Sequence, residues 1–149
     1  MSLDRWSWAI FFPRWVLGLM FFMAGWFKVF HMGPVEHARQ FFVGGYADTW
    51  IPLFLLWGLG TLIPVVELAA GGLLCLGYRR RESLIALGLI LIAVTYGHLL
   101  KEPFYDATSH IFPRLVLLTF LLAAPAERDA LTLDRWLAGR RAPPSGGGN

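Results

Sequence analysis

The chain has 149 residues, of which 56% are hydrophobic and 15% charged, with a formal net charge of +3. Soluble domains carry roughly 45–50% apolar and about 25% charged residues, so this balance excludes an ordinary water-soluble domain and points to a membrane. The basic residues flank apolar runs and form no patch with interleaved polar aromatics, which speaks against nucleic acid as a partner, and the lone Cys75 excludes an internal disulfide or a CxxC redox pair.

From the N-terminus, the first apolar run extends from about Trp8 to Phe30, near the ~20 residues that cross the hydrocarbon core as a helix. It reads as a retained span and not a secretory signal. Arg14 interrupts it, and its end, MAGWFKVF, offers aromatics where a small-residue cleavage site is required. Arg14, Gly18, Phe21, Gly25 and Lys28 fall alternately four and three residues apart, which lines them on one helix face. The next segment, HMGPVEHARQFFVGGYADTW, holds Phe41, Phe42, Tyr46 and Trp50, and predicts a short helix lying at the outer interface and ended by Gly44-Gly45.

The second run, from about Pro52 to Tyr78, repeats the stripe with Gly60, Pro64, Glu67, Gly71, Leu74 and Tyr78. Small residues let helices approach closely in lipid and intramembrane charges face the bundle interior, so both stripes predict one shared packing face. Pro64 removes the helical donor for the carbonyl near Gly60, and that oxygen and the Glu67 carboxylate, about one turn away, mark a kinked and locally polar pocket. A third span is predicted from about Ser83 to Leu100 and a fourth from about Ala107 to Ala124. Beyond Pro125, AERDALTLDRWLAGRR puts Ala130, Leu133, Trp136 and Leu137 on one face amid arginines, as an interfacial helix on the inner leaflet would, and APPSGGGN reads as a disordered end.

The continuous apolar runs lack the dyad alternation of a membrane barrel, so the fold class is all-α: a polytopic four-helix bundle over residues 1–125, followed by a cytoplasmic segment, 126–149. With four spans, Arg5, Arg79, Arg80, Arg81, Arg128, Arg135, Arg140 and Arg141 lie on one side, and Arg39 and Lys101 lie in the loops on the other. That imbalance places both termini inside, in a bacterial cytoplasmic membrane.

The intramembrane charges are Arg14, Lys28 and Glu67. Counting depth from Trp8 and Tyr78 predicts an Arg14–Glu67 pair, which serves either helix packing or chemistry. At the outer ends, Lys28, His98, His110 and Arg114 come to similar depth and form a candidate ligand site, with membrane-interface anchoring as the alternative. The four histidines have no short ligand spacing and no cysteine or second carboxylate beside them, so neither a metal site nor an intrinsic cofactor is expected.

The stretches RWVLGLMFFMAGWFK, with Arg14, Gly18, Gly25 and Lys28, and PVVELAAGGLLCLGYRRR, with Pro64, Glu67, Gly71, Gly72 and Gly77, resemble the DoxX family of small four-helix membrane proteins. The resemblance implies a subunit of a membrane quinone-linked oxidation or of an oxidant-defence complex. The leading reading is therefore a quinone-linked redox accessory subunit. An apolar slot would hold the ring, Lys28, His98, His110 or Arg114 would supply donors for its oxygens, and a redox or other protein partner would act beside it among membrane lipids. A non-catalytic scaffold or assembly factor is the main alternative, and a lipid-modifying isomerase using Glu67 or a histidine is a third. Self-association of the chain is left open.

Overall fold

The computed structural model describes residues 4–141, and within them the protein is all-helical. Helix α1 runs over Arg5–Met32, its last turn, Phe27–Met32, widening to a π-helix. Asp4 caps it, the carboxylate accepting from the Ser7 amide at 2.8 Å and so satisfying one of the first turn's free donors. Helix α2 occupies residues 34–46, α3 Leu53–Leu76, α4 Arg80–Lys101, α5 Ile111–Ala123 and α6 Leu133–Arg141. The predicted disordered end, 142–149, lies outside the described residues.

Helices α1, α3 and α4 are long and apolar enough to cross a membrane. The fourth predicted span is shorter than expected: α5 has 13 residues, roughly 20 Å of rise against a hydrocarbon core of about 30 Å. Residues 107–110, assigned to that span from sequence, precede the helix and carry polar Thr108, Ser109 and His110.

The two small-residue stripes form the main seam. Arg14, Gly18, Phe21 and Gly25 of α1 are buried, as are Gly60, Pro64, Glu67, Gly71 and Leu74 of α3, and no other pair of helices packs so extensively. A Cβ added at Gly18 would come 2.5 Å from Cys75 Sγ, and one at Gly25 would run into the Leu68 backbone. The seam exists because those side chains are absent. Ile10, Leu17, Phe21, Leu74, Leu84, Leu87, Leu91, Leu118 and Leu121 close the core around it.

Two local expectations are corrected. Gly44 and Gly45 do not end α2: Gly44 has ordinary right-handed helical dihedrals (φ −64°), and the helix continues through Tyr46. The segment also packs one face onto α3, burying His37 and Ala38, and leaves Phe41 and Trp50 exposed. Beyond α5, Ala130 is not part of the last helix. Residues 126–128 form a 3₁₀ turn, and Asp129 and Ala130 are buried against the bundle end that holds Arg14.

Helix α3 stops at Gly77, whose φ of 66° is left-handed and open to glycine without strain, with the Tyr78 amide bonding back to the Leu73 carbonyl at 2.9 Å. Arg79 also has positive φ, 48°, and its amide is held by Asp134 Oδ2 at 2.8 Å. The start of α6 thereby locks the tight turn between α3 and α4.

Candidate functional site

Two polar constellations interrupt the apolar bundle, one at each end. At the first, the fully buried Arg14 donates Nη1 to the Leu74 and Cys75 carbonyls at 2.9 and 2.6 Å and Nη2 to the Leu131 carbonyl at 2.6 Å, while Nε lies 3.2 Å from Asp129 Oδ2. Arg80 reaches the same carboxylate oxygen at 3.5 Å and donates to the carbonyls of Leu121 and Ala124, the latter at 3.0 Å. The Leu74, Cys75 and Leu121 carbonyls belong to the final turns of α3 and α5 and Ala124 follows α5, where intrahelical donors run out; Leu74 also accepts from the Gly77 amide at 3.1 Å. The guanidiniums thus complete two helix ends and tie them to residues 129–131. Burial pushes the Asp129 carboxyl above its usual range, and Arg14 and Arg80 pull against that shift. All of this chemistry is spent on packing.

The predicted Arg14–Glu67 pair is therefore replaced by two others, Arg14–Asp129 and Lys28–Glu67, the latter at 2.6 Å. The helix register explains the exchange. Gly18 faces Cys75 and Gly25 faces Leu68 in an antiparallel seam. One more turn along α1 brings Lys28, and not Arg14, to the level of Glu67.

At the Lys28 end lies a cavity of about 690 Å³, walled by α1, α2, α3 and α4. Phe27, Phe41, Phe42, Tyr46, Trp50 and Tyr96 give it aromatic sides, and Leu55, Leu56, Leu59 and Ile63 an aliphatic floor. Lys28, His37, Gln40, His98 and Lys101 supply its polar groups. Lys101 Nζ lies 5.1 Å from the centre of the Tyr46 ring and makes no ion pair among the described residues. Since Lys28 is matched by Glu67, Lys101 is the lysine of the wall whose charge has no carboxylate partner among the described residues.

His37 is placed by α3 itself. Pro64 has no amide hydrogen, so the Gly60 carbonyl one turn earlier is free, and His37 Nδ1 meets it at 2.7 Å. Gly60 also admits α2 to this distance: a Cβ there would come 2.6 Å from Ala38 Cα. Burial pushes the imidazole below the usual histidine value; the bond to Gly60 opposes this, nearby Lys28 adds to it and Glu67 opposes it.

Of the four ligand candidates read from sequence, the structure brings Lys28 and His98 into the cavity wall. His98 stacks on Tyr105, with ring centres 4.2 Å apart and planes 6° from parallel. His110 is exposed just before α5, and Arg114 sits over the Phe21 ring at 5.4 Å, and neither lines the cavity. Sequence reasoning missed His37 and Lys101. For His37 a signal was present, since the carbonyl freed by Pro64 needed a donor and the aromatic segment beside it held one.

Residues 6–101, well over half of the chain, match the family model described as methylamine utilisation protein MauE. No curated protein and no solved structure matches. The match overturns the DoxX resemblance. The stretches that carried it lie inside the matched residues, and their glycines and charges are those of the α1–α3 seam, a packing device open to any small bundle.

Proposed function

The chain is an integral membrane protein of the MauE family of methylamine utilisation proteins, and on that premise we propose that it is an accessory subunit whose outer cavity holds a quinone-type ring beside a redox partner protein. The cavity at the Lys28 end carries the reading. Its aromatic and aliphatic walls fit an apolar ring, and Lys28 and Lys101 are donors for ring oxygens. Such a group, when bound, supplies two-electron chemistry that no side chain here offers. The protein's own residues bind the ring, orient it and keep its apolar body from water.

The same electrostatics argue against the amine as the ligand of this cavity. Methylammonium is a cation, and among the described residues no carboxylate lines the cavity; Glu67, beside it, is already engaged by Lys28, and Lys101 is part of the wall. This supports reading a role in methylamine utilisation as the handling of electrons and not amine binding.

The topology that goes with this reading has both termini inside and four passes through a bacterial cytoplasmic membrane, so that the cavity opens outward. It is supported by the arginine imbalance and by the course of α5, which returns the chain to the Arg14 end where Asp129 is buried. A scaffold without a ligand is the second reading, favoured by the Arg14–Asp129–Arg80 cluster, in which intramembrane charge has a purely structural use.

Binding of a short-chain quinone analogue to the purified protein separates the two. Lys28→Met and His98→Ala should weaken it about tenfold or more. His110→Ala, altering an exposed residue off the cavity, should leave it unchanged, and methylammonium should not compete. Equal affinity in wild type and Lys28→Met, or competition by methylammonium, would overturn the assignment.

A further inference from the structure

The ligand-facing chemistry of His37 follows from a bond it makes elsewhere. A carbonyl oxygen only accepts, so the 2.7 Å contact with Gly60 requires the hydrogen of the neutral ring to sit on Nδ1. The remaining nitrogen, Nε2, then carries a lone pair. Among the described residues no group hydrogen-bonds it, and His37 is part of the cavity wall. The neighbouring rings are Phe41 and Phe42, centred 5.3 and 5.6 Å away, which offer no donor. Of the other charged groups at this end, Lys28 and Glu67 are bound to each other, and Lys101 lies over the Tyr46 ring and, as a cation, can only donate.

The cavity therefore presents fixed donors, Lys28 and Lys101, and in His37 an acceptor whose tautomer the fold sets, whereas Gln40, His98 and the tyrosine hydroxyls can turn to either role. We propose that His37 Nε2 is a specificity-determining acceptor, and that the cavity selects a ring bearing a hydroxyl, the reduced quinol form, over the corresponding quinone. A quinone has acceptors only and, in covering Nε2, would leave it without a donor, whereas a quinol donates to Nε2 and still accepts from a lysine. The inference rests on the cavity being the ligand site and adds which redox form it prefers.

The test uses the whole protein in lipid nanodiscs, without turnover, and three probes: a short-chain benzoquinol kept reduced, its quinone, and the dimethyl ether of the quinol, which retains the oxygens but has no hydrogen to donate. Wild type should bind the quinol roughly tenfold or more tighter than either of the others. His37→Asn is the informative variant, because the asparagine amide nitrogen can occupy the place of Nδ1, keeping the donor to Gly60 and the seat of α2 while removing Nε2. It should bind all three probes within about twofold of one another, at unchanged thermal stability. Equal affinity of wild type for quinol and quinone, or a quinol preference surviving in His37→Asn, would overturn the inference while leaving the ligand site in place. Failure of wild type to bind any of the three would remove the site and the inference together.

Discussion

Arg14, Glu67, Arg80 and Asp129 are the buried charges among the described residues, with Lys28 half-buried beside Glu67, and their pairing decides what each substitution does. Asp129→Asn removes the carboxylate that two guanidiniums share and should cost about 3–5 kcal/mol, read as loss of folded protein in detergent. In double-mutant cycles Arg14 should couple to Asp129 and Lys28 to Glu67. Arg14 and Glu67 should be additive to within about 0.5 kcal/mol, and strong coupling between them would contradict the register described here. His37 gives a pH dependence. Its folded-state value lies below the unfolded one, so the unfolded chain binds more protons; the associated stability is full above about pH 6.5 and is lost as pH falls toward the folded value. The midpoint of thermal unfolding should drop between about pH 7.5 and 5.5, with Lys28 and Glu67 the charges that tune it, and should drop less in His37→Asn. An identical drop in both proteins would remove His37 as the cause. The four-and-three spacing made the burial of Arg14 and Glu67 legible, but not that of Arg80 and Asp129. The partners were not legible either, because Asp129 stands in a polar stretch 115 positions from Arg14 and becomes an intramembrane counter-charge only when α5 brings the chain back.

The seam between α1 and α3 is the element on which both polar ends depend. Gly25→Leu would drive a side chain into the Leu68 backbone and should cost about 3 kcal/mol or more, while Gly58→Leu, on the same helix as Leu68 but with nothing within 4 Å of an added Cβ, should stay within about 0.5 kcal/mol of wild type. Comparable losses in unfolding experiments would mean that the glycines are not packing residues. Both stripes could be read from the sequence because helical periodicity and small-residue packing follow from local spacing. The continuation of α2 through Gly44-Gly45 could not. Glycine permits a helix end without requiring one, and here Gly45 also borders the cavity, where a larger side chain would approach Lys101 Nζ, 3.7 Å from an added Cβ.

At the scale of the whole molecule, one end of the bundle is closed by arginines on helix-end carbonyls and the other is hollow. This asymmetry supports the proposed orientation, with the arginine end inside and the hollow end outside. A reporter fused after Gly45 should be active only outside and one fused after Arg141 only inside; the same compartment for both would exclude the four-pass arrangement. The all-helical membrane class and three helices long and apolar enough to cross were legible in the sequence, but the short α5 and the folded 126–134 segment depend on contacts distant in the chain. The central claim is that the cavity at the Lys28 end holds a quinone-type lipid. Native mass spectrometry of the protein released from a quinone-containing membrane tests it most directly, with Leu59→Trp to fill the cavity and Leu62→Trp, exposed on the same helix, as the control. One bound quinone should appear on wild type and on Leu62→Trp and be lost from Leu59→Trp. A wild-type protein without quinone, or an adduct that survives in Leu59→Trp, would contradict the account.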